Sequence, residues 1–463
     1  MTYAFTFDAS ACTGCKACQV ACKDKNNLPA GVLWRRVYEV SGGTWIKQGE
    51  AWTTDVFAYN LSIACNHCVH PKCAGVCPTD AYVIRNDGIV YIDESKCMGC
   101  GYCNWACPYA APLFNPESGH MTKCNFCMDE IDQGKPPACV AACPMRVLDF
   151  VTVDGGSKTS ENGQPSTIYR ALWKTPASEH PFPLPNFSNT EPHVAIRPHA
   201  SMERGGEAQI ANWEEVRPQG VRLFAEVPLI AFTLLGQMAV GMTIALAMME
   251  ITVSTFPALL VSLGLTFAAT LVAFLHLGRP VNARHALRHW QKSWLSREIL
   301  ALGLFSLSGA VTAILYGLCV SNWPIILTAI LGIGLVVSMA HVYRLRTMPA
   351  WDYQHTLAAF LLCTGVLGVQ AVSLVTPLGW IRWVLPLLFA GELVLALSAR
   401  KGYHKTVNRI RVGLLLAGMV TGAALLFLSE PAMIVLIPLF LISIIEETVG
   451  RWLFYELLKE RPL

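Results

Sequence analysis

Apolar residues are distributed very unevenly along this chain. Beyond residue 226 they form eight nearly continuous stretches, at 227–249, 256–277, 299–320, 323–342, 356–375, 380–399, 410–428 and 432–445, the last of them short. A bilayer core takes about 20 helical residues, so the pattern predicts an all-α polytopic membrane domain of about eight transmembrane helices. Trp294, Trp323, Trp351, Trp380 and Trp452 stand near the ends of these stretches, where an interfacial aromatic belt places them. Before residue 226 the pattern is short-range. Residues 82–93 alternate around Asn86-Asp87-Gly88 and predict a hairpin, while Phe5 to Asp8, Val147 to Val151 and Val32 to Val40 read as further strands. From Asp154 to Pro218 the chain is rich in Gly, Ser, Asn and Pro with little periodicity, which predicts an extended arm that wraps either the clusters or a partner subunit. The expected organisation is therefore 1–153, a linker at 154–225, and a membrane domain at 226–463.

The cysteines supply the chemistry. Sixteen of the eighteen fall in four sets of four: Cys12, Cys15, Cys18, Cys22; then Cys65, Cys68, Cys73, Cys77; then Cys97, Cys100, Cys103, Cys107; then Cys124, Cys127, Cys139, Cys143. The first and third sets have the bacterial ferredoxin spacing, in which three thiolates hold one cubane and the fourth reaches the neighbouring cluster. Pro78, Pro108 and Pro144 close the last three sets. The predicted fold is thus an α+β duplicated ferredoxin-like domain holding four 4Fe-4S clusters. The second and third sets flank the hairpin and form one module; the first and fourth form the other. Sharing the last cysteine between partners gives Cys12/Cys15/Cys18/Cys143, Cys124/Cys127/Cys139/Cys22, Cys65/Cys68/Cys73/Cys107 and Cys97/Cys100/Cys103/Cys77. Structural zinc has no need of a three-plus-one run closed by proline, and a disulfide framework would not repeat ligand spacing four times. Cys319 and Cys363 sit in apolar stretches and read as small buried hydrophobes.

Charge then bears on sidedness. Residues 1–226 carry 19 Lys+Arg against 23 Asp+Glu, and residues 227–463 carry 16 against 9. Loops on the N-terminal side hold Arg279, Arg284, Arg288, Lys292 and Arg297, then Arg344 and Arg346, then Arg400, Lys401, Lys405, Arg409 and Arg411; the opposite side holds only Arg382. The positive-inside rule places the iron-sulfur domain on the cytoplasmic side of a cytoplasmic membrane. Met1 to Ser10 has neither a basic region nor an apolar core of the kind a signal peptide carries. A cluster domain that folds before export would also be awkward to translocate ahead of eight spans.

With these residues in view the chain resembles the dimethyl sulfoxide reductase family of molybdoenzymes. Residues 1 to about 200, with all four cysteine sets and Trp34-Arg35-Arg36-Val37, resemble its four-cluster iron-sulfur subunit; Cys100 stands where some relatives have Trp and a three-iron cluster. Residues 226 to about 460 resemble its membrane anchor through Glu226-Val227-Pro228-Leu229, Gly236-Gln237, Leu275-His276-Leu277-Gly278-Arg279-Pro280 and Ser296-Arg297-Glu298-Ile299. The resemblance implies a fusion of two subunits, a molybdopterin catalytic subunit as partner, the quinone pool and the lipid bilayer as surroundings, and no nucleic acid. It also implies that the cluster of Cys65, Cys68, Cys73 and Cys107 lies in the module nearer the membrane. One departure stands out: the family usually places its hydrophilic subunits outside the cytoplasmic membrane, and these loop charges argue the reverse.

Ionisable groups in a membrane domain are functional candidates by default. His276 and Arg279 close the second span, Glu298 opens the third, and His341 and Arg344 close the fourth, all toward one face. Menaquinol releases protons with its electrons, so His276 is the expected ring partner and Glu298 the proton acceptor, with His341 and Arg279 beside them. The alternative is that these side chains simply sit at the headgroup level. Two haems would need ligands at both faces, and only His276 and His341 lie near a span end; a single haem is left open by that count, and the resembled anchor carries none. Glu392, in the sixth span, is the only plainly deep charge in this reading, as part of a proton path or as a partner of Arg382. No nucleotide fingerprint or molybdopterin domain is present, so substrate chemistry belongs to a separate subunit. Three functions follow from these residues: electron transfer from menaquinol to a dimethyl sulfoxide reductase-type respiratory reductase, the same wire reversed as a cytoplasmic sulfite dehydrogenase reducing quinone, and an ion-pumping redox module, which requires several charges deep in adjacent spans.

Overall fold

The computed structural model describes residues 2–153, 170–171, 182–185, 190–202, 208–216, 226–249, 255–317, 323–348, 351–376, 379–398, 405–427 and 433–456. The chain divides into two compact units, one built on Met1–Gly220 with Val281–His285, the other on Val221–Pro280 with Ala286–Arg461.

In the first unit, β1 (Thr2–Asp8) alternates small and aromatic residues, and its Phe5 and Phe7 are almost fully buried. The next strands are β2 (Arg36–Gly42), β3 (Trp45–Gln48), β4 (Ala51–Thr54), β5 (Phe57–Ile63), β6 (Tyr82–Ile84), β7 (Val90–Ile92), β8 (Leu113–Asn115), β9 (His120–Thr122) and β10 (Leu148–Val153). Strands are present where 5–8 and 147–151 were read as strands, and they pair: β1 runs antiparallel to β10, with Phe5 opposite Phe150. The expected hairpin is β6–β7, with Tyr82 opposite Ile92. The strand anticipated over 32–40 begins later, at Arg36, because Val32 and Leu28 pack instead into a small cluster with Leu113. The arm contributes β11 (Arg170–Ala171), β12 (Val194–Arg197) and β13 (Ala208–Ile210). Of these, β12 joins β1 in parallel and β13 joins β2, so the described parts of the arm complete the sheets of this unit. Between strands lie α1 (Ala17–Lys25), α2 (Lys72–Gly75), α3 (Tyr102–Ala106), α4 (Met128–Ile131) and α5 (Ala138–Ala141), with α6 (Trp213–Val216) near the end of the arm.

The second unit is helical: α7 (Val227–Ala247), α8 (Phe256–Phe274), α9 (Trp294–Gly317), α10 (Pro324–Val342), α11 (Tyr353–Val375), α12 (Ile381–Leu397), α13 (Lys405–Ala424) and α14 (Met433–Glu456). Pro228, Pro257 and Pro324 open α7, α8 and α10, where the missing N–H costs nothing. Among the described residues six of the eight helices are long and apolar enough to cross a membrane; α12, with 17 residues and Pro386 inside it, and α13, with Arg409 and Arg411 in its opening turns, are not among them. Two expectations change. The stretch read as 432–445 is the 24-residue helix Met433–Glu456, which runs on past Glu446, Glu447 and Arg451 because these side chains are buried inside the bundle and not at its end. Trp351 is no interfacial anchor: it is buried, stacks on Phe454 at 4.9 Å, and donates its indole N–H to the Phe454 carbonyl at 2.9 Å. Arg400 and Lys401 lie outside the described residues, as does Cys319.

Small residues let the helix backbones touch. A Cβ built on Gly368 of α11 would overlap the backbone of Gly241 on α7, and one on Gly241 would overlap the Thr364 carbonyl. Such contact is how helices associate where lipid removes the hydrophobic driving force. Gly368→Leu should therefore destabilise the unit by about 2 kcal/mol or more, read as an earlier midpoint in detergent-mediated unfolding. Gly413→Ala, where open space surrounds the added methyl, should leave that midpoint in place.

Candidate redox centres and buried groups of the anchor

The four cysteine sets share one local conformation. The residue just before the second cysteine of each set is left-handed: Gly14 (φ 70), His67 (φ 41), Gly99 (φ 73) and Phe126 (φ 62). That turn reverses the chain so that thiols two residues apart in the loop face a common centre. Glycine accepts it freely; His67 and Phe126 hold it with side chains buried in the core. At Gly14 a second limit applies, since a Cβ would lie 2.6 Å from Asn60 Oδ1.

The thiols gather in four groups. Cys12 has Cys15, Cys18 and Cys143 as electrostatic neighbours, and Cys124 has Cys22, Cys127 and Cys139. Cys68 has Cys65, Cys73 and Cys107, and Cys103 has Cys77, Cys97 and Cys100. Cys12, Cys15, Cys18 and Cys143 line one small cavity, and Cys65, Cys68, Cys73 and Cys107 line another. Four thiols converging on each centre, with backbone N–H groups aimed at sulfur, fit an iron-sulfur cluster. The amides of Ala81, Met121 and Phe126 lie 3.4 Å from the sulfurs of Cys77, Cys97 and Cys124. Burial pushes the thiols up, Cys22 and Cys100 each to about 12, so ionising them requires positive charge at the centre, which iron supplies.

The groups form a row, and each junction carries a buried polar side chain that the sequence patterns did not single out. Tyr82 lies beside Cys103, Cys73 and Cys77, between the third-set and second-set groups. Lys123 comes next: its Nζ donates to Cys65 Sγ at 3.4 Å, to the Cys124 carbonyl at 3.0 Å and to the Val90 carbonyl. Burial opposes its charge, but the sulfurs of Cys65, Cys73 and Cys124 outweigh burial and hold it protonated. Arg35 has Cys139, Cys18, Cys124 and Cys22 around it and spans the last junction. It donates to Ser62 Oγ at 3.2 Å, and Ser62 Oγ lies 3.3 Å from Cys18 Sγ. The only sequence signal for Arg35 was its place in Trp34-Arg35-Arg36; for Lys123, adjacency to Cys124. In this row the Cys65/Cys68/Cys73/Cys107 group has a neighbour on both sides, and the ends are the Cys77/Cys97/Cys100/Cys103 and Cys12/Cys15/Cys18/Cys143 groups.

In the anchor, His341 of α10 is held between Trp294, with ring centroids 4.0 Å apart, and Tyr353 at 4.4 Å, while its Nδ1 faces the Val337 carbonyl at 2.9 Å. Arg344 lies over the Tyr353 ring. Glu298 is buried in α9, within electrostatic range of Tyr343. His276 follows α8, with Nδ1 buried and the Ala273 backbone of the preceding turn beside the ring. Arg279 lies three residues further on and is partly buried. The structure does not join His276 to Glu298 or His341 by a hydrogen bond or ring contact among the described residues. Glu392 does not pair with Arg382; its carboxylate faces Glu446 and Glu447. Arg411, counted as a loop charge, is inside α13 and donates to Glu446 at 2.7 Å. Glu446, Glu447 and Arg451 lie beyond the apolar stretch of 432–445, in the continuation of α14, where no apolar periodicity marks them.

A ferredoxin-like unit with cysteine-lined centres, joined to a bundle of apolar helices, defines a membrane-anchored iron-sulfur electron-transfer protein. Comparison with known proteins narrows the class. Residues 56–153 match the 4Fe-4S dicluster domain, and residues 222–398 match the DMSO reductase anchor subunit, DmsC. The B subunit of anaerobic dimethyl sulfoxide reductase from Escherichia coli is 44% identical over 216 residues, 46% of this chain and 98% of that protein. The formate dehydrogenase iron-sulfur subunit of Wolinella succinogenes is 40% identical over 167 residues, 31% of this chain and 78% of that one. The thiosulfate reductase electron transfer subunit PhsB of Salmonella typhi is 40% identical over 169 residues, 36% of this chain and 84% of that one. The protein belongs to the family of dimethyl sulfoxide reductase iron-sulfur (B) subunits, fused to an anchor of the DmsC type.

Lys123 should tune the centres it separates. Its charge favours the reduced, more negative form of the adjoining cluster, so Lys123→Met should lower that cluster's potential by about 100 mV, from a charge a few Å away at an effective dielectric near 20. Lys123→Arg should restore most of the shift. An EPR-monitored redox titration reads both, and identical midpoints in all three proteins would exclude the role.

Proposed function

We propose that this chain conducts electrons between the quinone pool and a separate molybdopterin catalytic subunit through four 4Fe-4S clusters, in a dimethyl sulfoxide reductase-type respiratory complex that oxidises menaquinol. The observation that carries the reading is the row of four thiol groups with Tyr82, Lys123 and Arg35 at its junctions. In this assignment Cys12/Cys15/Cys18/Cys143, Cys124/Cys127/Cys139/Cys22, Cys65/Cys68/Cys73/Cys107 and Cys97/Cys100/Cys103/Cys77 hold one cluster each. Bound clusters supply one-electron carriers. The chain's own residues do the rest: sulfur ligands fix the spacing, amide donors steady the sulfurs, and the buried cations offset the negative charge that accumulates on reduction. One end of the row serves quinone chemistry and the other serves the catalytic subunit.

His276, Glu298, His341 and Arg279 are assigned to the quinone site. Among the described residues no side chain hydrogen-bonds the ring of His276, which supports its pairing with a quinone oxygen. Glu298, buried at the start of α9, is suited to accept a proton. His341 is held by two aromatic rings and supports the wall of the site. No haem is part of this reading.

The basic loops favour a second reading of direction. Arg279, Arg284, Arg288, Lys292, Arg344 and Arg346 stand on the N-terminal side of the helices, and even without Arg409 and Arg411, which lie in α13, they outnumber Arg382 opposite. The iron-sulfur unit is therefore assigned to the cytoplasmic side. In that position the same wire, reversed, serves a sulfite dehydrogenase that reduces quinone.

Two outcomes test these assignments. His276→Ala should slow quinol-dependent cluster reduction roughly 100-fold, with iron content and dithionite reduction kept at the wild-type level; normal quinol oxidation would remove His276 from the site. An alkaline phosphatase fused after Leu463 should be inactive, because an even number of spans, six or eight, returns the end to the N-terminal side. Active phosphatase there would reverse the orientation.

A further inference from the structure

Three acids meet in the interior of the anchor. Glu392 of α12 and Glu446 and Glu447 of α14 each bring a carboxylate oxygen within 4.8 Å of the other two. Their exposures are 2%, 0% and 4%. The groups facing them come from every neighbouring helix. From α13, Arg411 donates to Glu446 Oε1. From α14 itself, Arg451 donates to Gln237 Oε1 of α7 at 2.6 Å, with its guanidinium 3.7 Å above the Phe360 ring of α11. Cys363 of α11 neighbours Glu447, Glu392 and Arg451. Tyr343 and Tyr455, hydrogen-bonded to each other, lie on the far side of Arg451.

Charge and hydrogen bonding both leave this group incomplete. Three ionised carboxylates against two guanidiniums carry one net negative charge, and an uncompensated charge inside a helix bundle costs several kcal/mol. The deficit falls on Glu392. Both of its oxygens are buried without a hydrogen-bond partner, while Glu446 has its bond from Arg411. An independent sign comes from the donors. Gln237 is fully buried and its Nε2 has no partner, nor has Arg451 Nε, so unused donors stand in the same polar interior as unused acceptors. A hard divalent cation is a poor fit, since the Arg411 and Arg451 guanidiniums already bring two positive charges to the three carboxylates and leave one to be balanced. One positive charge that needs a single oxygen does fit.

We propose that Glu392, Glu446 and Glu447 form an exchangeable proton-binding site within the membrane domain, holding one proton between Glu392 and Glu447. The step is acid-base only. One Glu392 oxygen takes H⁺ from hydronium of the solvent, which is left as water, to give a carboxylic acid whose O–H donates to the Glu447 carboxylate, and no electron moves. The site is independent of the quinone assignment: it is built from α12, α13 and α14 with support from α7 and α11, and it requires none of His276, Glu298, His341 or Arg279. It also supplies what the ion-pumping reading required and the sequence did not display, several charges deep in adjacent helices.

Infrared difference spectroscopy of the full-length chain in lipid nanodiscs tests this. The wild-type minus Glu392→Gln spectrum should contain one protonated-carboxyl C=O band that titrates with pH, shifts in D2O, and does not respond to sodium at fixed pH. Glu447→Gln should displace that band without removing it, and EPR of the clusters should match the wild type in both variants. Absence of a carboxyl band from the difference spectrum at every pH would overturn the proposal, and so would a band abolished by sodium. Should Glu392→Gln fail to assemble, Glu392→Asp must still move the wild-type band; an unmoved band counts against the site.

Discussion

Crowded sulfur charge is the constraint on which the N-terminal unit depends. Sixteen thiols are packed into about 130 residues, most of them buried, and burial pushes those of Cys22 and Cys100 up to about 12. Thiolate ligands packed this closely would need compensating charge and donors around them. The left-handed residue before each second cysteine turns the loop inward, and the amides that follow point at sulfur. Lys123 and Arg35 are tolerated at 3% and 2% exposure because they sit where two thiol groups meet. Neither would be stable there beside apolar neighbours alone.

The rest of the unit serves that arrangement. Phe126 stacks on Phe5 at 4.2 Å and meets His67 edge-on at 5.2 Å, so two of the strained loop residues lock against each other and against β1. Burial, first, and then the charge of Lys123 hold His67 well below the ordinary imidazole range, which keeps its Nδ1 free to accept the Val90 N–H at 3.0 Å. The arm belongs to the same logic. Its strands close the sheets around β1 and β2, and Thr190 lines the Cys65 cavity, so the segment least legible by periodicity completes the enclosure.

The anchor solves a different problem, placing charge where lipid cannot solvate it. Its outer faces are apolar, with Phe267, Leu307, Ile330 and Val420 largely exposed, as a lipid-facing surface requires. Its interior is unusually polar: Thr243 with Ser262, and Ser308 with Thr312 and Thr328, bond across helices, and the Glu392 triad faces Arg411 and Arg451. The backbone approach at Gly241 and Gly368 brings α7 against α11, the two helices that carry Gln237 and Cys363 to the edge of that triad.

The sequence by itself determined the cysteine chemistry and the two-unit plan. Ligand spacing is local, set by how few residues a loop needs to aim three thiols, and a bilayer's thickness writes itself into runs of about 20 apolar residues. The strands flanking the first and last cysteine sets were legible for the same reason, since Phe5 and Val147 open short alternating runs. Tertiary structure alone decided which side chains stand between centres and which charges face each other inside the bundle. Lys123 and Arg35 look like ordinary surface cations in sequence; only the folding of sets far apart in the chain onto one row buries them. Glu446, Glu447 and Arg451 look like the polar end of a short span, and become interior only because Glu392 and Arg411, tens of residues away, arrive to compensate them. Charge compensation is a property of distance in space, and no spacing along the chain encodes it.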